Sequence, residues 1–119
     1  MESILLNESV DAAICIVNIC KEIRNSEKEF VLTNQLLRSG TSIGANIHES
    51  KYAQSTADFV SKMQIALKEC YETEYWLRIM KETGYIKDEK FFELKNKCGS
   101  IRRKLISSIN TVKNSVQLC

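Results

Sequence analysis

Apolar residues recur along the chain at intervals of three and four and never alternate strictly with polar ones, a rhythm that predicts helices and no strands. Polar breaks divide the pattern into four segments. The first helix is predicted from Asn7 to Ile23, with Val10, Ile14 and Val17 as its core row, Ile16 and Ile23 on the flank, and Glu8 and Asp11 near the positive N-terminus. Asn25-Ser26-Glu27-Lys28-Glu29 ends it. Ser26 with Glu29 forms a candidate capping box and Thr33 an alternative cap, so the second helix starts between them and runs to about Tyr52. Ser55-Thr56-Ala57-Asp58 opens the third, whose row Phe59, Met63, Ala66, Cys70, Thr73, Leu77 and Met80 is spaced 4, 3, 4, 3, 4, 3, before Gly84 supplies a left-handed stop. Asp88 caps the fourth, with the stripe Phe91, Leu94, Cys98, Ile101, Leu105, Ile109, Val112 and Val116. Helices joined by loops this short pack antiparallel, so the expected fold is all-α: one up-down-up-down four-helix bundle over residues 1–119.

Composition narrows the classes. A chain of 119 residues with 44% hydrophobic and 27% charged residues, no proline and four glycines is neither disordered nor collagen-like nor a turn-rich sandwich. No apolar run approaches the roughly 20 residues of a membrane span, and Met1–Leu6 is too short for a secretory signal, so a cytoplasmic protein with no membrane partner is expected. Five cysteines, at 15, 20, 70, 98 and 119, are odd in number and contain no C-x-x-C, which favours free thiols. The single histidine, His48, has no cysteine nearer than Cys70, so no zinc site and no cofactor is expected. Net charge is +2, but residues 87–119 hold eight Lys/Arg against three Asp/Glu, and the rest of the chain is net acidic. Such asymmetry suits a polyanion partner.

Small residues crowd Arg38-Ser39-Gly40-Thr41-Ser42-Ile43-Gly44-Ala45-Asn46. A phosphate loop fails here, because the glycine spacing is wrong, no Lys-Ser/Thr follows and no strand precedes. Leu36, Gly40, Ile43, Gly44 and Ile47 instead share a helical face on which two glycines admit a close neighbour, a gain that must offset about 1 kcal/mol per mid-helix glycine. A second stripe, Arg38, Ser42, Ala45 and Glu49, and another on the third helix, Ile65, Glu69, Glu72, Trp76 and Ile79, lie off the core rows. With Lys62 they form the candidate interface between copies of the chain; the alternative is a wide core flanked by exposed glutamates. The paired glutamates lack the Glu-x-x-His repeat of di-metal bundles, and one histidine offers little to a hydrolytic pair, so no catalytic activity is expected. On the fourth helix Lys90, Lys97 and Lys104 line one flank and Lys95, Arg102 and Lys113 the other, with Arg103 pointing away from both. They read either as snorkelling side chains or as a phosphate-binding surface, for which Lys95, Lys97, Arg102, Arg103, Lys104 and Lys113 are the candidates. No aromatic platform is expected to interleave with these cations, so base stacking of the kind single-strand binders use is not indicated.

The run Gln35-Leu36-Leu37-Arg38-Ser39-Gly40-Thr41-Ser42-Ile43-Gly44-Ala45-Asn46-Ile47, followed by Glu49, Ala53, Ser55, Asp58-Phe59, Lys62, Ile65-Ala66-Leu67-Lys68-Glu69, Glu72-Thr73 and Tyr75-Trp76-Leu77, resembles the bacterial four-helix bundle proteins also called 23S rRNA intervening sequence proteins. The likeness is dense over the second and third helices and departs at Ser50, where alanine or glycine is more usual. It implies an antiparallel bundle, a homopentameric ring, no known catalytic activity and a distant similarity to the nucleic-acid-binding accessory proteins of diversity-generating retroelements. The expected function is weak, sequence-tolerant binding of RNA or DNA; the alternative is an adaptor ring for a protein partner such as a reverse transcriptase.

Overall fold

The computed structural model describes residues 3–118, with side chains through residue 115; Val116 of the fourth stripe and Cys119 therefore lie outside the described side chains. Four helices fill this span: α1 (Ile4–Glu27), α2 (Val31–Ser50), α3 (Thr56–Glu82) and α4 (Asp88–Leu118). Side-chain pairings give their sense. Lys97 meets Asp11, while Lys104, two turns further along α4, meets Glu8, earlier on α1. Arg38 meets Glu69 whereas Glu49 meets Lys62, so α2 and α3 also run oppositely. Each helix packs on the next and α4 closes on α1, which makes a four-helix bundle.

The predicted rows of three helices form the core. Leu36, Gly40, Ile43, Gly44 and Ile47 are buried on α2, Met63 through Met80 on α3, and Phe91 through Ile109 on α4, while Phe59 and Val112 at the row ends are half-buried. Ser55 accepts the Asp58 N–H at 3.0 Å and so caps α3, and Gly84 takes φ +85° just past its end, both as expected.

Helix α1 is a correction. Its core row is Ala12, Ile16, Ile19, Cys20 and Ile23, while Val10 and Ile14 are 46% and 55% exposed and Val17 is half-buried. The helix carries two apolar faces, and the one that turns inward is the one whose Ile16 fits over the bare backbone of Gly40. Ser3 also starts α1 earlier than predicted, by accepting the Leu6 N–H.

The start of α2 is corrected too. Ser26 bonds back to the Glu22 carbonyl, and the Glu29 carboxylate caps the helix, accepting the N–H groups of Val31, Leu32 and Thr33 at 2.9 Å each. Burial raises the Glu29 pKa, but the three backbone donors and Arg24 outweigh it, and the carboxyl sits below its ordinary 4.5. A carboxyl lowered by folding stabilises the fold above its unfolded pKa, and that stabilisation disappears as pH falls through the lower folded value. Glu29→Ala should therefore cost about 1 kcal/mol at neutral pH, the magnitude of a lost cap. In urea titrations the difference from wild type should shrink below about pH 4 as the wild-type carboxylate protonates; a difference constant across that range would refute the cap.

Candidate nucleic-acid interface

Beyond Glu93 the chain contains no Asp or Glu, yet carries Lys95, Lys97, Arg102, Arg103, Lys104 and Lys113. The 3.6-residue turn of α4 divides them by neighbour. Lys97 and Lys104 lean onto α1, where Lys97 Nζ lies 2.6 Å from Asp11 and Lys104 Nζ 2.9 Å from Glu8. Glu8 also accepts the Ser100 hydroxyl at 2.6 Å, and this bond, followed by Lys104, holds its carboxyl below the ordinary range. The hydrogen bond to Asp11 raises the Lys97 ammonium above its usual value. Arg102 turns the other way, its Nε donating to Glu74 on α3 at 3.2 Å.

Three of the six candidate cations are thus committed inside the chain. Lys95, Arg103 and Lys113 have no carboxylate within ion-pair distance among the described residues. Arg103 is more central than predicted: a Cβ built at the buried Gly99 would lie 3.2 Å from Arg103 Nη1 and 3.5 Å from Arg102 Nη2, so both guanidinium groups gather over one bare turn of backbone.

Between α3 and α4 lies a cleft of about 270 Å³ lined by Glu74, Leu77, Arg78, Phe91, Lys95 and Arg102. Here the expectation that no aromatics interleave with the cations is overturned. The Arg102 guanidinium lies 6.0 Å from the Tyr71 ring centroid, Lys95 is 5.9 Å from that of Phe91, and Lys81 is 5.2 and 5.8 Å from those of Phe91 and Phe92. Tyr71 stands on α3, and the packing of α3 against α4 brings it to Arg102, so a reading of α4 alone misses it.

Within the subunit, the charges of the candidate interface between copies pair with one another. Arg38 bridges Glu69 and Glu72 of its own chain, Lys62 pairs with Glu49 at 3.2 Å, and the Trp76 indole donates to Glu72 at 3.0 Å. These charges, expected to meet a neighbouring copy, are satisfied internally because α2 and α3 are adjacent. Ser42 bonds back to the Arg38 carbonyl, Ile65 is 41% exposed, and Ile79 is half-buried. Ala45 faces another way, into a groove of about 280 Å³ with Val10, Ala13, Ile14, Val17, Thr41 and Gly44. The sequence signal for that groove is the Val10-Ile14-Val17 row, which the apolar pattern alone assigns to the core.

Cys15, Cys20, Cys70 and Cys98 are free thiols. Burial pushes the Cys20 thiol up to about 11, and a hydrogen bond with Cys70 together with burial raises the Cys98 thiol, so the sulfurs of Cys20 and Cys98 are packing groups with little thiolate character. Among the described residues no helix is long and apolar enough to cross a membrane.

An all-α bundle with one cationic helix, an apolar groove and ion pairs closed within the chain belongs to the helical bundle class. More narrowly, the chain belongs to the 23S rRNA-intervening sequence protein family, whose model matches residues 1–107. It is similar to a crystal structure from Bacteroides thetaiotaomicron of a protein with unknown function from the S23 ribosomal protein family. The two share 49% identity over 89% of this chain and 98% of the other, with a TM-score of 0.87. No curated protein matches the chain.

Proposed function

We propose that this chain is a non-catalytic subunit of a homo-oligomer, a five-membered ring by family resemblance, that holds RNA or DNA through α4 by charge and with little sequence preference. One observation carries the reading: along the acid-free stretch of α4 after Glu93, Lys95, Arg103 and Lys113 have no ion-pair partner among the described residues. Repeated around a ring, those charges sum to a field that attracts phosphate backbones. Assembly is favoured by two apolar surfaces on adjacent faces, the α1–α2 groove and the strip on the α2–α3 side that includes Ile65 and Trp76. Different surfaces on one subunit make heterologous contacts, and these form a ring where the rotation between subunits closes.

Arg102→Glu combined with Arg103→Glu should abolish binding to ribosomal RNA fragments in a mobility-shift assay at low salt. Wild-type affinity should itself fall steeply with salt, by about 0.9 log units per log unit of salt for each phosphate contact on a duplex. Binding that survives the double reversal would refute the electrostatic reading. The adaptor alternative draws on Phe30 and Val31, which are 51% and 73% exposed at the α1–α2 turn and suit an apolar protein contact. A protein that co-purifies after nuclease treatment, and is lost on Val31→Asp, would favour the adaptor.

A further inference from the structure

The α3–α4 cleft joins three features that a plain polyanion surface does not need. Its wall sets three cations, Arg78 on α3 and Lys95 and Arg102 on α4, against the one carboxylate of Glu74. Half-exposed rings stand next to cations, Tyr71 (51%) at 6.0 Å from the Arg102 guanidinium and Phe92 (50%) at 5.8 Å from Lys81. Its arginines are also pre-oriented. Glu74 takes the Arg102 Nε at 3.2 Å, which leaves the terminal nitrogens free, and Gly99 lets Arg102 Nη2 and Arg103 Nη1 converge over the same turn. Two guanidinium groups held together repel one another and present their remaining donors to an anion.

Tyr71 lies beside Arg102, ten residues along α4 from Phe92, so the two rings are separated by roughly 15 Å of helix rise. Cations stand between and beside them: Lys81 over Phe92, Lys95 in the cleft, and the arginine pair near Tyr71. Rings spaced along a cationic track match what a single strand offers, unpaired base faces on one side and phosphates on the other. A duplex turns its bases inward and would gain only the charge contacts.

We propose that this cleft is a seat for single-stranded polynucleotide, in which Arg102, Arg103 and Lys95 take phosphates while Tyr71 and Phe92 stack on bases. The proposal rests on the charge-based reading above and sharpens it to strand state and location. Because every base has a π-face, stacking of this kind tolerates sequence.

Fluorescence anisotropy on the full chain tests it, using labelled oligouridylate and oligothymidylate of about twelve nucleotides, within the usual site size, and an RNA duplex of equal length. The single strands should bind about tenfold or more tighter than the duplex. Tyr71→Ala with Phe92→Ala should weaken single-strand binding by about 25-fold or more, at roughly fivefold or more per lost stack, and leave duplex binding unchanged. Tyr71→Phe with Phe92→Tyr keeps both rings and should retain single-strand affinity, which separates stacking from misfolding. Preference for uridylate over thymidylate would add a contact at the 2′-hydroxyl or at the unmethylated C5 edge to the same seat, and equal binding would leave phosphate and base face as the recognised parts; both support the seat. Duplex bound as tightly as single strand, or full single-strand affinity in the double alanine variant, would overturn the seat while the charge-based reading stands. No binding to any of the three at low salt would overturn both.

Discussion

A leucine in place of Gly40 should destabilise the bundle by about 3 kcal/mol or more, an overpacking cost at the upper end of its usual range. A Cβ at residue 40 would already lie 2.6 Å from Ile16 Cδ1 and 3.2 Å from its Cγ2. Ile16 is fully buried and its neighbours fill the core, so it has nowhere to retreat. Gly40→Ala should be milder, because the gain of about 1 kcal/mol in helix propensity offsets part of the clash. The contact has an identifiable partner atom, and this sharpens the test. Ile16→Val removes Cδ1, the atom nearest the new methyl, at a cost of about 1 kcal/mol on its own. Combined with Gly40→Ala it should cost less than the two changes summed, a coupling of about 1 kcal/mol measurable by urea unfolding at fixed protomer concentration. Simple additivity, or a Gly40→Leu variant with the wild-type midpoint, would show that the glycine does not serve close packing.

Gly40 also shows why much of the fold was legible. The sequence pattern places Leu36, Gly40, Ile43, Gly44 and Ile47 on one face, and that face is buried, because a narrow row flanked by polar residues has one way to turn. Helix α1 has two candidate rows built from similar β-branched residues, and periodicity weighs them equally. The choice falls to the partner helix, through a contact between Ile16 and Gly40 that sequence spacing does not display. Chemistry follows the same rule. The cations of α4 could be named from the sequence, but their commitments to Asp11, Glu8 and Glu74 depend on which helix lies beside each flank. Tyr71 is another case, thirty-one residues from Arg102 in the chain and in cation–π range of it in the fold. Short-range periodicity predicts what a helix buries; charge neutralisation and aromatic pairing across a seam depend on packing order and antiparallel sense.

The intrachain pairing of the charges in the candidate interface bears on what a disruptive substitution should do. Arg38, Lys62, Glu49, Glu69 and Glu72 are paired within the chain, so they have less to offer a neighbouring copy than an unpaired strip would. The apolar surfaces remain, the groove holding Ala45, Val10 and Ile14 on one face and the strip with Ile65 and Trp76 along α3 on the next. Wild type should therefore scatter light as a multiple of its 13.6 kDa subunit at micromolar concentration. Ala45→Arg should obstruct the groove and reduce the mass toward that of the subunit, with helical content preserved because residue 45 is exposed and off the core row. Ile65→Arg should do the same from the other face. Mixing the two variants then distinguishes the geometries. If groove meets strip, each variant keeps one intact surface, and the mixture should form dimers and stop there, since no further contact can propagate. If groove meets groove in a two-fold contact, Ile65→Arg should retain the wild-type mass and the mixture should form no new dimer. A monomeric wild type, or an Ala45→Arg variant of wild-type mass, would place assembly outside the groove altogether.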